Sequence, residues 1–213
     1  MLASLWDDAV AMTRVAEHPS HHGARGTLAY AGTLLREGTA ASVARAERAI
    51  EAVLALQETR PDDAHCGNFR WTLEEETVSD LNGVEFAVEE LISLLHAFEP
   101  RLGAAVVAGV RDAIALGLEE IERLDVHPSY TNIALTDICN SILGGELLAG
   151  VIADDGESFG ERYVARGARR LDEWFAFTSS PAPRMSSTAR RTSPSISSAW
   201  RPSPRTRPTP RSR

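Results

Sequence analysis

Before residue 179, apolar residues recur at intervals of three and four with charged residues between them, and no β-branched alternation of strand length interrupts the pattern. A chain patterned this way is expected to fold as packed helices. The spacing predicts seven, over residues 3–17, 27–36, 40–57, 82–98, 101–124, 131–153 and 156–178. The first is closed by the turn-rich HPSHHGARG, and Glu37-Gly38 separates the second from the third. Residues 58–81 have weak periodicity and hold Pro61, Gly67 and Asn68, so they read as a long loop, a feature uncommon in compact domains unless it serves a function. The other connections are short. Pro100 and Asp154-Asp155 mark tight reversals, so neighbouring helices should pack as antiparallel hairpins.

The last hairpin suggests the architecture. Residues 131–153 are apolar on nearly all sides, as in a helix surrounded by others, whereas 156–178 place Phe159, Tyr163, Leu171, Trp174 and Phe175 on one side and Arg166, Arg169, Arg170 and Asp172 largely elsewhere. Buried helices ringed by amphipathic ones make an α/α toroid. The expected fold is therefore all-α, a partial α/α toroid of about three antiparallel hairpins plus an N-terminal helix, spanning residues 1–179.

Charge divides the chain in the same place. All 22 basic residues are Arg; residues 1–183 carry 14 of them against 30 acids, and residues 184–213 carry 8 Arg, 8 Ser, 5 Pro and 4 Thr with no acid. The acidic body repels nucleic acid and anionic membrane surfaces, so neither is expected as a partner. At 43% hydrophobic residues the chain can bury a core, which excludes disorder throughout. Cys66 and Cys139 make no disulfide framework, MLASLWDDAVAM has Asp where a signal peptide is basic, and no apolar run reaches membrane-spanning length. A soluble, cytoplasmic product is expected.

The tail, residues 180–213, cannot form a core from its composition and is expected to be disordered. Two origins fit it. One is a genuine basic tail. The other is out-of-frame translation of GC-rich DNA, which yields Arg, Pro, Ser and Ala in excess. Codons for Arg184 to Ile196 exist whose shifted frame reads HEFNSPTYIAVD, and its continuation can read as a helix ended by Asp-Pro.

These residues carry a resemblance. GNFRW at 67–71, the acidic run and Asp80-Leu81-Asn82 before a helix, SYTNIALTDICNSILGGELL at 129–148, and the shifted-frame NSPTY string together resemble a family of bacterial α/α-toroid proteins of uncharacterised function. More distantly, the order of an Asn/Trp loop before one inner helix and a Thr-Asn start to the next is similar to toroid domains of polysaccharide lyases and heparinase-like proteins. The resemblance covers residues 1–183. Known toroids of this design have more hairpins than the three visible here, so it implies a shortened ring, with apolar flank left open to self-association. It also implies a parent acting on oligosaccharides, with this product inactive; a non-catalytic helical scaffold or binding module is the alternative.

Candidate site residues fall in two places. The loop offers Asn68, Arg70, Trp71, Glu76, Asp80 and Asn82, a mixture of ring, amide and charge suited to stacking on sugars and bonding their hydroxyls. Against this, Trp71 can plug the bundle, Asp80 can cap the helix starting near Asn82, and Glu74, Glu75 and Glu76 can form a solvated face. At the start of the 131–153 helix, Tyr130 and Asn132 either line a site or cap the helix, and Asn132, Thr136 and Asn140 form a polar ladder at spacing four. In a lyase, Asn68, Asn82 and Asn132 would neutralise a uronate while Tyr130 or His127 takes the proton; in a hydrolase, Glu76 and Asp80 would be the carboxylate pair. His18, His21 and His22 lie in a turn without a carboxylate set, so no metal site and no cofactor is expected. Cys139 is expected in the core, and Gly144-Gly145 to permit close helix packing.

Overall fold

The computed structural model describes residues 2–152 and 156–179. Among them are six α-helices, α1 (Ala24–Glu37), α2 (Ala40–Leu54), α3 (Gly83–Phe98), α4 (Ala104–Leu124), α5 (Thr131–Leu147) and α6 (Phe159–Ser179), preceded by a small sheet of β1 (Trp6–Asp7), β2 (Met12–Val15) and β3 (His18–His22). The tail at 180–213 and the Asp154-Asp155 reversal lie outside the described residues.

The expected N-terminal helix is instead an antiparallel meander in the order β1-β2-β3, so the fold is mainly helical with a small sheet. Two local features break the helix. The Asp7 carboxylate accepts from the Ala9 amide, and Ala11 sits at φ 55°, turning the chain back so that Trp6 pairs with Thr13. Long-range bonds then fix the sheet: the Thr13 amide donates to Thr27 Oγ1, and the Gly23 amide to the Thr13 carbonyl.

Capping sets the helix limits. Gly38, at φ 73°, closes α1 by donating its amide to the Leu34 carbonyl, and Thr39 opens α2 by accepting from the Ser42 amide. Pro100 falls in a 3-10 turn, Glu99–Arg101, which delays α4 to Ala104.

The helices pack as the hairpins α1/α2, α3/α4 and α5/α6. Helices α1, α3 and α5 lie side by side and parallel: Gly32 meets Leu94, Asn140 reaches Glu85, and Gly144 meets Ile92. In the second layer α2 runs along α4, with Gln57 donating to the Ala113 carbonyl. Leu28, Leu35, Ile50, Val53, Val88, Leu91, Ile114 and Leu118 fill the space between layers. The α5/α6 pair is joined almost backbone to backbone. A Cβ on Gly160 would lie 2.5 Å from the Gly145 carbonyl oxygen, and one on Gly167 would lie 2.5 Å from Ile142, so small residues are required here.

Two expectations for this hairpin are corrected. Helix α5 is not surrounded: Cys139 is exposed rather than core, and Leu143 is 41% exposed. Arg166 is buried rather than on the solvated side, because it is in phase with Phe159 and Tyr163 and finds an acidic partner across the interface.

Candidate functional site

The long loop between α2 and α3 is held by its own polar groups. Asn68 is fully buried at its centre: its Oδ1 accepts from the Phe69 and Val84 amides, at 2.8 and 3.0 Å, and its Nδ2 donates to the Leu81 carbonyl and to Glu120. It thereby supplies the N-terminal cap of α3. Asp80, expected in that role, accepts instead from the amide and side chain of Asn82 in an exposed turn. Glu75 accepts from the Trp71 and Thr72 amides and from Ser79, and Glu74 bonds His22, so neither is a merely solvated acid. Trp71 packs on Phe86 at 5.5 Å between ring centroids and leaves its indole N–H without a partner among the described residues. This contact suits Trp71 to plugging the bundle.

Arg70 and Glu76 line a polar cleft of about 550 Å³ with Leu56, Gln57, Glu58, Arg60, Thr77 and Val78. Arg70 is anchored by donating to the Glu75 and Ala55 carbonyls. The side-chain and backbone hydrogen bonds from Arg60 hold the Glu58 carboxyl down to about 2, so it is ionised throughout the neutral range.

His127, Tyr130 and Asn132 sit together at the start of α5, all exposed. His127 Nδ1 bonds Ser129 and the ring meets Phe177 edge-on at 5.4 Å; Tyr130 precedes the first helical residue without a side-chain cap bond. Thr136 returns its hydroxyl to the Asn132 carbonyl, while Asn140 is buried against Glu85, so the expected ladder divides between solvent and core. Since α3 and α5 are parallel, both groups of candidates lie at the same end of the molecule. The bond from Asn140 to Glu85 sets α5 forward by about seven residues, which displaces the two groups by roughly 10 Å along the helix axes.

Two ionisable clusters were missed. At the α3/α5/α6 junction Asp137 accepts from Ser141, Arg166 and Arg170, and Arg166 also donates to Ser141 at 2.6 Å. Beside it Glu85 is 1% exposed, with Oε1 unpartnered among the described residues and Oε2 3.4 Å from Asn140 Nδ2. Burial, and then the charge of Asp137, push the Glu85 carboxyl up to about 8. The signal was present, because Asp137 stands on an apolar helix and Arg166 falls on the stripe of Tyr163. The second cluster gathers at His22, which is buried between Glu74 and Asp7; the three histidines, expected in a solvated turn without carboxylates, lie instead on β3, where His18 and His21 are exposed. Among the described residues no group of three or more His, Cys, Asp or Glu is arranged to hold a metal ion, and no helix is long and apolar enough to cross a membrane.

Comparison of the chain with known families, curated proteins and solved structures finds no match.

Proposed function

We propose that this chain is part of an α/α toroid and binds a carbohydrate, without turning it over, in the polar cleft under the 58–81 loop. The observation that carries the reading is the cleft lining, in which Arg60, Arg70 and Thr77 offer donors, Glu58, Glu76 and the Gln57 Oε1 offer acceptors, and Leu56 and Val78 offer an apolar surface. Alternating donors and acceptors suit ligand hydroxyls, and an apolar wall suits a pyranose face.

Catalysis fits this lining poorly. Glycoside hydrolysis needs two carboxyls across the scissile bond, one of them protonated, but of the expected pair only Glu76 lines the cleft, Glu58 is held low, and the carboxyls raised by burial, Glu85 and Glu90, lie outside the lining. Elimination needs a base for the α-proton, and the residues expected in that role, His127 and Tyr130, lie at the start of α5 and not in the lining. The toroid half of the proposal rests on the parallel layer α1, α3, α5, and on the face of α5 carrying Asn132, Cys139 and Leu143, where a further inner helix would pack. If the tail is read as out of frame, the shifted frame continues into one such helix.

Titration calorimetry with neutral and acidic oligosaccharides, on the wild type and the R70A and E76Q variants, tests the binding claim. A sugar that binds the wild type and loses about tenfold or more in affinity to either variant is expected. No new reducing ends and no unsaturated product should form. Turnover, or no binding of any sugar, would overturn the proposal.

A further inference from the structure

His22, the last residue of β3, joins three segments that are far apart in sequence. Its ring Nδ1 lies 2.6 Å from Glu74 Oε1 on the long loop, its Nε2 lies 3.3 Å from Asp7 Oδ2 on β1, and its backbone amide donates to Glu74 Oε2 at 2.9 Å. The ring is largely buried. Around it the backbone is stitched as well: the Leu73 amide donates to the His22 carbonyl, and the Ala24 amide to the Trp71 carbonyl. Arg14 on β2 is the cross-strand neighbour of His22 and also pairs with Asp7, so the charged groups facing the ring are Asp7, Arg14 and Glu74; His18 and His21 on its own strand point to solvent.

An ionised carboxylate only accepts hydrogen bonds, and an imidazole with one proton donates from one nitrogen only. With both ring nitrogens facing carboxylate oxygens, both contacts are hydrogen bonds when the ring carries two protons and one becomes a lone-pair clash when it carries one. We propose that Asp7, His22 and Glu74 form a proton-operated latch, in which the second ring proton fastens β1 to the end of β3 that Glu74 already ties to the long loop.

The two arms are unequal. Glu74 is held by the shorter ring contact and by the His22 amide, so a singly protonated ring keeps its proton on Nδ1 and the Asp7 contact is the one released. Asp7 is then left to Arg14 and the Ala9 amide. What it lets go is the short β1, paired to β2 only through Trp6 and Asp7, with the Trp6 ring resting 5.4 Å from Tyr30. When the ring carries one proton in place of two, β1 loosens while the loop stays fastened. The latch operates whatever the cleft binds.

The test is a pH titration of the whole chain by NMR, following the His22 ring nitrogens and the backbone amides together, with intrinsic-rate-corrected hydrogen exchange. The β1 amides should shift with the midpoint of the ring and lose roughly tenfold in protection above it, the effect of one charged hydrogen bond. In D7N the β1 response should vanish while the Leu73 and Glu74 amides still follow the ring. Unchanged β1 titration in D7N, or β1 amides that ignore the ring in the wild type, would overturn the latch.

Discussion

Replacing Glu85 by Gln should stabilise the protein at neutral and alkaline pH, and the gain should grow with pH. The carboxyl is buried against Asn140 and shares its pocket with Asp137, whose two arginines are already engaged. Folding moves it from an ordinary value of 4.5 up to about 8, so between those pH values the folded chain holds a proton that the unfolded chain has released. Stability therefore falls as pH rises through that window. At about 1.4 kcal/mol per pH unit, the cost is roughly 3 kcal/mol by pH 7 and about 5 kcal/mol once pH passes 8.

Gln fills nearly the same volume, keeps an oxygen for Asn140 and has no proton to lose. The E85Q and wild-type proteins should have similar stability near pH 4.5 and diverge above it, with E85Q the more stable by about 3 kcal/mol at pH 7. Urea denaturation of both proteins at half-unit intervals from pH 4 to 9 gives the difference curve directly, because changes from other groups cancel between them. The slope should be confined to the interval from 4.5 to 8. A difference that stays flat across it, or an E85Q protein less stable at pH 8, would refute the assignment of a buried, neutral Glu85.

Three further outcomes follow from the packing. Asp137→Asn leaves Arg166 and Arg170 without their shared anion in the interface and should cost about 3–5 kcal/mol in chemical denaturation. Gly160→Ala drives a methyl into the Gly145 carbonyl and should cost about 2 kcal/mol or more, seen as a lowered melting temperature. In the folded protein a thiol reagent should label Cys139 quickly and Cys66 slowly, since burial pushes the Cys66 thiol up and reduces its thiolate; mass spectrometry after brief exposure distinguishes them.

Most helix limits were legible because local residues set them. Gly38, Thr39 and Pro100 place three ends by capping and sterics alone, and apart from the C-terminal end of α5 each predicted limit falls within three residues of the observed one. The N-terminal helix was misread because Leu5, Ala9 and Met12 fit helical spacing, while the pairings that make the sheet, such as Trp6 with Thr13 and Arg14 with His22, and the bonds from Thr27 and Gly23 that anchor β2 join residues beyond the reach of a helical turn. The same limit governs Asn68. Its sequence neighbours suggest an available amide, but its partners lie on α3, α4 and the far end of the loop. Composition could not show that Asp137 and Arg166 meet, although a charge on each apolar stripe was a visible anomaly.

The two ends of the helical layers are built differently, and this bears on where a ligand would be received. At one end α1 passes to α2 through Gly38 and Thr39, and α3 to α4 through a single 3-10 turn and Gly103. At the other end, where α1, α3 and α5 begin, lie the sheet, the 28-residue segment from 55 to 82 and the turn before Thr131. Short turns satisfy their backbone groups within a few residues, whereas a long loop must recruit side chains to do so. Asn68, Glu75 and Glu74 meet that need here, each accepting from backbone amides. The loop is thereby fixed rather than mobile, and the side chains it does not use internally, Glu76 and Thr77, are presented from a set position into the cleft. A preorganised wall loses less entropy on binding than a flexible one. Loosening the loop by replacing Asn68 should therefore weaken ligand binding through the cleft even though Asn68 does not line it.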